Sequence, residues 1–96
     1  MAETVDELTV NYEEDGLLLV KELDKRILTK GAWATIVFLY QDFDRRKEDY
    51  GQKKVTIRRY QKRDGVYVYR SKFNISSLDQ GQKIVDVLDE WIGAEL

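Results

Sequence analysis

The residues best suited to chemistry in this 96-residue chain alternate basic and aromatic side chains around Asp64-Gly65. An Asp-Gly pair between alternating stretches is typical of a two-residue hairpin turn, which sets Lys62 opposite Tyr67 and Tyr60 opposite Tyr69. The same register pairs Arg58 with Ser71 and Thr56 with Phe73. One face of the predicted hairpin then interleaves cations with rings: Lys54, Arg58, Tyr60, Lys62, Tyr67, Tyr69 and Phe73. Three further cations lie on the other face, towards one end: Arg59, Arg70 and Lys72.

Rings and cations on an open sheet suit the chemistry of a single-stranded nucleic acid. Each base offers a π-face, worth roughly 1–3 kcal/mol when stacked, while Lys and Arg neutralise phosphates. The alternative is that Tyr60, Tyr67 and Tyr69 are ordinary cross-strand packing pairs. The pattern favours binding, and it adds Trp33 as an aromatic candidate.

The residue types argue against most catalytic sites. The chain has no cysteine and no histidine, which removes thiol nucleophiles, zinc sites built on those residues and histidine-based triads. Asp42 and Asp44 at a strand end have oxygen ligands for Mg²⁺, but there is no third convergent acid, and solvated strand-end acids are commoner. No glycine pattern matches a phosphate-binding loop. We therefore expect no enzymatic activity, no metal ion and no cofactor.

The net charge of −2 conceals an uneven distribution. Residues 1–16 carry six acids and no base, residues 17–75 carry 15 bases and seven acids, and residues 76–96 carry five acids and one lysine. We predict an acidic N-terminal arm over residues 1–16 and a single nucleic-acid-binding domain over residues 17–96. Because opposite charges on one chain attract at high effective concentration, we expect the arm to compete with nucleic acid for the basic sheet.

Hydrophobic periodicity predicts four strands followed by one helix. The predicted strands cover residues 17–28, 33–43, 53–62 and 66–75. Residues 8–12 fit either an extra short strand or a frayed arm. Ser77 and Gln80 fit a capping box, and Gly93 fits a C-terminal cap. The apolar residues of this helix, including Trp91, share one side. We expect an α+β fold, a four-stranded antiparallel meander with the helix packed across it and Trp91 in the core.

The strand over residues 33–43 is apolar on both faces. A strand of this kind must be covered on both sides, and a single helix can cover only one of them. An uncovered face would be an apolar patch of a size that monomers avoid. The sequence therefore predicts a homodimer.

Two segments resemble the positive cofactor 4 family of single-stranded-DNA-binding transcriptional coactivators. Lys54-Val-Thr-Ile-Arg-Arg-Tyr60 resembles its Ile-Arg-x-(Tyr/Trp) strand, and Lys72-Phe-Asn-Ile-Ser-Ser77 resembles its Lys-Gly-Ile-(Ser/Thr)-Leu segment before a C-terminal helix. The resemblance covers residues 17–92 and implies a β-β-β-β-α fold related to whirly and Pur domains. It implies a homodimer that binds single-stranded DNA, with binding roles for Arg58, Tyr60 and Lys72.

The sequence thus leaves two functions open. The first is a single-stranded nucleic-acid-binding accessory factor in transcription, replication or repair, with DNA and RNA not distinguished and the transcription machinery as a potential partner. The second is a small dimeric protein–protein adaptor. No apolar run is long enough to span a membrane, and the N-terminus lacks the apolar stretch of a secretory signal. We expect a cytoplasmic protein, associated with the nucleoid if it is bacterial.

Overall fold

The computed structural model describes residues 2–96 and has a curled antiparallel sheet with one C-terminal helix. After a single 3₁₀ turn at Val5–Glu7, the elements are β1 (Tyr12–Glu14), β2 (Leu17–Thr29), β3 (Trp33–Asp44), β4 (Asp49–Tyr50), β5 (Lys54–Arg63), β6 (Val66–Ile75) and α1 (Leu78–Glu95). The strand order is β1-β2-β3-β5-β6, and β4 pairs with β3. The predicted α+β class is confirmed. The predicted count of four strands is wrong, because the short strands β1 and β4 pair onto the ends of β2 and β3.

The β5–β6 hairpin turns at Asp64 and Gly65, whose φ angles are 52° and 82°. Two consecutive positive φ angles give the turn the twist that a two-residue hairpin needs. The register next to the turn is as predicted, with Lys62 opposite Tyr67 and Tyr60 opposite Tyr69. Local turn chemistry therefore aligns the aromatic and basic residues closest to it.

A β-bulge between Arg59 and Tyr60 shifts the rest of the hairpin by one residue. Arg58 lies opposite Lys72, so its predicted pairing with Ser71 is wrong. Because paired residues share a face of the sheet, the bulge moves Lys72 onto the same face as Arg58 and Tyr60. It also moves Phe73, opposite Ile57, onto the other face.

The N-terminal segment (residues 2–10) crosses one face of the sheet, which we call the inner face. The core lies between the two and consists of Val5, Leu8, Val10, Ala34, Ile36, Phe38 and Tyr60. The Lys25 ammonium donates hydrogen bonds of 2.6–3.0 Å to three backbone carbonyls of the segment. The Tyr67 N–H donates to the Ala2 carbonyl at 2.8 Å. The beginning of the predicted acidic arm therefore contributes three apolar side chains to the core.

Helix α1 begins with a cap at the predicted place. The Ser77 hydroxyl accepts a hydrogen bond from the Gln80 N–H at 3.1 Å, and the Gln80 side chain accepts one from the Ser76 N–H at 2.9 Å. Two donors at the N-terminus are thus satisfied, as in a capping box. The predicted C-terminal cap at Gly93 is wrong, because the helix continues to Glu95.

Helix α1 does not pack across the sheet, and the prediction that Trp91 is a core residue is wrong for the single chain. No residue of α1 is buried, and Trp91 is 65% exposed. The helix meets the sheet near the ends of β5 and β6, where Gly81 lies against Ile75. The radius of gyration is 15.5 Å, against about 12.5 Å for a compact domain of this length. Within residues 2–96, no helix is long and apolar enough to cross a membrane.

Candidate nucleic-acid interface

The β5–β6 hairpin concentrates positive charge. Residues 53–75 contain eight Lys or Arg and one Asp. Among the described residues, ion pairs within 4.0 Å join Lys54 to Asp42 and Arg26 to Asp24 and no others. Seven of the eight hairpin cations therefore have no carboxylate partner in this part of the chain. Uncompensated cations along one ribbon produce the positive potential that attracts phosphates.

Strand pairing brings hairpin cations against aromatic rings. The Arg58 guanidinium carbon lies 5.7 Å from the centre of the Tyr69 ring, and the Lys62 ammonium lies 5.4 Å from that of Tyr67. On the opposite face, which we call the outer face, Arg59 lies 4.6 Å from the ring centre of Trp33. These distances are within the range of cation–π attraction. Each such pair presents a ring and a positive charge together.

Four predicted site residues lie on the inner face of the hairpin, where Lys62 borders residues 3–6 of the N-terminal segment. We call this set the hairpin strip: Arg58, Lys62, Tyr69 and Lys72. Tyr69 is 48% exposed, the two lysines are exposed, and Arg58 is half-buried. The strip has one half-exposed aromatic ring and three cations. The β-bulge places Lys72 on the same face as the other three residues.

The Arg58 side chain is half-buried and lies against the Tyr69 ring. Its Nε is buried and has no hydrogen-bond partner among residues 2–96. A buried donor without an acceptor costs free energy.

Tyr60 and Tyr67 share the inner face with the strip but are covered. Tyr60 is 5% exposed beneath the N-terminal segment, and its ring meets the Tyr69 ring edge-on with centres 6.1 Å apart. The Tyr67 hydroxyl donates to the Gly31 carbonyl at 2.8 Å. Tyr60 therefore packs between the N-terminal segment and Tyr69, and Tyr67 is held by its hydrogen bond to Gly31. The sequence signal for this cover is the apolar pair Leu8 and Val10, which lies within the acidic residues 1–16.

The two remaining predicted residues lie away from the strip. Lys54 is at the other end of β5, where its ammonium donates to the Asp42 carboxylate at 2.9 Å. This hydrogen bond raises the pKa of Lys54 above its ordinary value. Trp33 is on the outer face beside Arg59. Asp42 is thus paired with a lysine. No group of three potential metal ligands occurs in the described part of the chain.

The burial of Tyr60 gives the free energy of unfolding a dependence on alkaline pH. Desolvation raises the pKa of Tyr60, with the nearby Arg58 opposing it. The folded state therefore favours the neutral phenol, and this contribution to stability is complete below the ordinary tyrosine pKa of about 10. It is lost as the pH rises through the higher pKa of the folded state.

We expect urea denaturation to show that wild-type protein loses more stability between pH 9 and pH 11 than Tyr60→Phe does. The substitution Tyr12→Phe, at an exposed tyrosine of β1, controls for the loss of one phenol. Equal losses in all three proteins would contradict the assignment to Tyr60.

Comparison of this chain with protein-family models, curated proteins and solved structures found no match. The resemblance to the positive cofactor 4 family accordingly stays a hypothesis drawn from two short segments.

Proposed function

We propose that the protein binds single-stranded nucleic acid along the hairpin strip. The observation that carries the proposal is Tyr69, an exposed ring with Arg58 against it and Lys72 alongside in a hairpin of mostly unpaired cations. Exposed aromatic rings stack bases of any sequence, and the neighbouring cations follow the phosphates.

The strip favours a single strand over a duplex. Arg58 and Lys62 are four residues apart on β5, or about 13 Å along a strand, which is the length of roughly four stacked nucleotides. An exposed ring can stack only on a base that is not already stacked between the neighbouring bases of a duplex. Duplex readers usually insert a helix into the major groove, but the only α-helix of residues 2–96 carries five acids and one lysine.

The biological role that fits such a strip is that of an accessory factor that holds exposed strands during transcription, replication or repair. The transcription machinery is a candidate partner through the resemblance to coactivators. Stacking and phosphate contacts are shared by DNA and RNA, so both are tested below.

The direct test is fluorescence anisotropy of labelled thymine and uracil oligomers titrated with the protein at several salt concentrations. We expect saturable binding in low salt and a linear fall of log K with log salt, since phosphate contacts release counterions. A chain that binds neither oligomer in low salt while remaining folded would overturn the proposal and favour the adaptor function.

A matched pair of lysine substitutions separates the strip from general charge effects. Lys72→Gln is expected to weaken binding and to reduce the slope of log K against log salt by about 0.7, the value for one phosphate contact on a single strand. Lys47→Gln changes the net charge equally at an exposed lysine between β3 and β4, and we expect it to leave the slope nearly unchanged. Identical slopes for the two variants would show that Lys72 makes no specific contact.

A further inference from the structure

The outer face of the sheet is an apolar surface without a cover. With the exception of Ile75, every buried residue among positions 2–96 belongs to the N-terminal segment or to the inner face. The outer face is instead built from side chains that are half-buried or exposed: Trp33, Val37, Leu39, Val55, Ile57 and Phe73. Phe73, which the β-bulge turns onto this face, is 55% exposed. The two faces of β3 are therefore both apolar, as predicted, but only one is covered.

Helix α1 has a second uncovered apolar surface. Its apolar side is formed at helical spacing by Ile84, Val85, Val87, Leu88, Trp91 and Ile92, and most of these side chains are more than 40% exposed. A shallow groove follows this side between Lys83 and Trp91. In proteins, most of the stability of a helix comes from packing its amphipathic face against another surface. The helix therefore needs a surface that the single chain does not supply.

We infer that the cover is a second copy of this chain, with α1 of each protomer lying across the outer face of its partner. The two apolar surfaces then cover each other, and a two-fold axis repeats the contact. This inference does not depend on nucleic-acid binding, because the hairpin strip lies on the inner face.

The charges of the two surfaces are complementary. At helical spacing, Asp89 and Glu95 lie at or beside the apolar side of α1, whereas the outer face carries Arg59 and Arg70 beside its apolar centre. Opposite charges at the border of an apolar contact fix its orientation and select against other partners. A second copy supplies both the acidic helix and the basic face.

The apolar area is close to what a stable dimer buries. Seven of the apolar side chains named for α1 and the outer face are 40–65% exposed, and at on the order of 100 Å² of exposed area each they offer roughly 700 Å² per protomer. Stable complexes bury about 800 Å² per partner.

The test uses engineered disulfides, which are unambiguous because the chain has no cysteine. One protein carries Ile57→Cys, at the centre of the outer face, and the other carries Leu88→Cys on the apolar side of α1. We expect the mixture to form a disulfide-linked heterodimer under mild oxidation. Glu90→Cys, on the opposite side of α1, should not form this link with Ile57→Cys.

Three results would overturn the inference. The double variant with both cysteines forms an intrachain disulfide at high dilution if the helix folds onto its own sheet. Leu88→Cys alone forms the dominant crosslink if the helices pack on each other. Sedimentation equilibrium of the unmodified protein that gives only the 11.3 kDa monomer mass at micromolar concentration excludes the dimer.

Trp91→Glu is expected to raise the dimer dissociation constant by at least about tenfold, as for a central aromatic residue of an interface.

Discussion

Replacing Leu8 with alanine is expected to lower the free energy of unfolding by about 2–5 kcal/mol, the usual cost for a buried leucine. Leu8 is buried against the inner face together with Val5 and Val10. This cluster is the main core of the chain, and domains of this size have a total stability of only about 5–15 kcal/mol. Urea denaturation followed by circular dichroism measures the change.

The adjacent substitution Glu7→Ala is the matched control, because Glu7 is exposed and surface changes typically alter stability by less than about 0.5 kcal/mol. Deletion of residues 1–10 is expected to leave no cooperative unfolding transition, since Ile36 and Phe38 would lose their cover. A truncated protein that unfolds cooperatively, with Leu8→Ala no less stable than Glu7→Ala, would show that the N-terminal segment is dispensable.

Alanine substitutions at Tyr60 and Tyr69 are expected to have opposite consequences. Tyr60→Ala removes a large buried side chain and should lower the free energy of unfolding by about 3–5 kcal/mol. Tyr69→Ala removes a half-exposed ring and should change stability far less. It should weaken binding to a thymine oligomer by about 1–3 kcal/mol with the salt slope unchanged, because stacking releases no counterions.

The two readouts are measured on the same preparations, denaturation for stability and anisotropy for binding. Tyr12→Ala, at a similarly exposed tyrosine on β1, is the control for the binding experiment. If Tyr69→Ala binds as tightly as Tyr12→Ala, the strip is not a stacking surface. If Tyr60→Ala is as stable as the wild type, Tyr60 is not part of the core.

Features that depend on neighbouring residues could be predicted from the sequence. Asp64 and Gly65 specify a turn whose backbone fits a two-residue hairpin, and this fixes the pairing of Tyr60 with Tyr69. Ser77 and Gln80 specify the start of α1 in the same way. In each case the determining contacts span only a few residues.

Features that depend on distant contacts could not be predicted. One extra residue at the bulge reverses the faces of Lys72 and Phe73, and the alternation of the strand does not reveal it. The acidic charge of the first 16 residues concealed the apolar residues that cover the inner face. Periodicity identified the apolar side of α1, but a pattern within one helix does not specify the surface that will cover it.

The path of residues 2–10 also determines when the protein can fold during its synthesis. The hydrogen bond between Ala2 and Tyr67 joins positions 65 residues apart, so the N-terminal segment finds its partner only after Tyr67 has also left the ribosome. Ile36 and Phe38 emerge without Tyr60 beside them and stay accessible to chaperones or to other nascent chains in that interval. A core completed by such distant segments folds slowly for a domain of this size. The long stretch of chain between the two segments must close into a loop before the contacts between them can stabilise the fold.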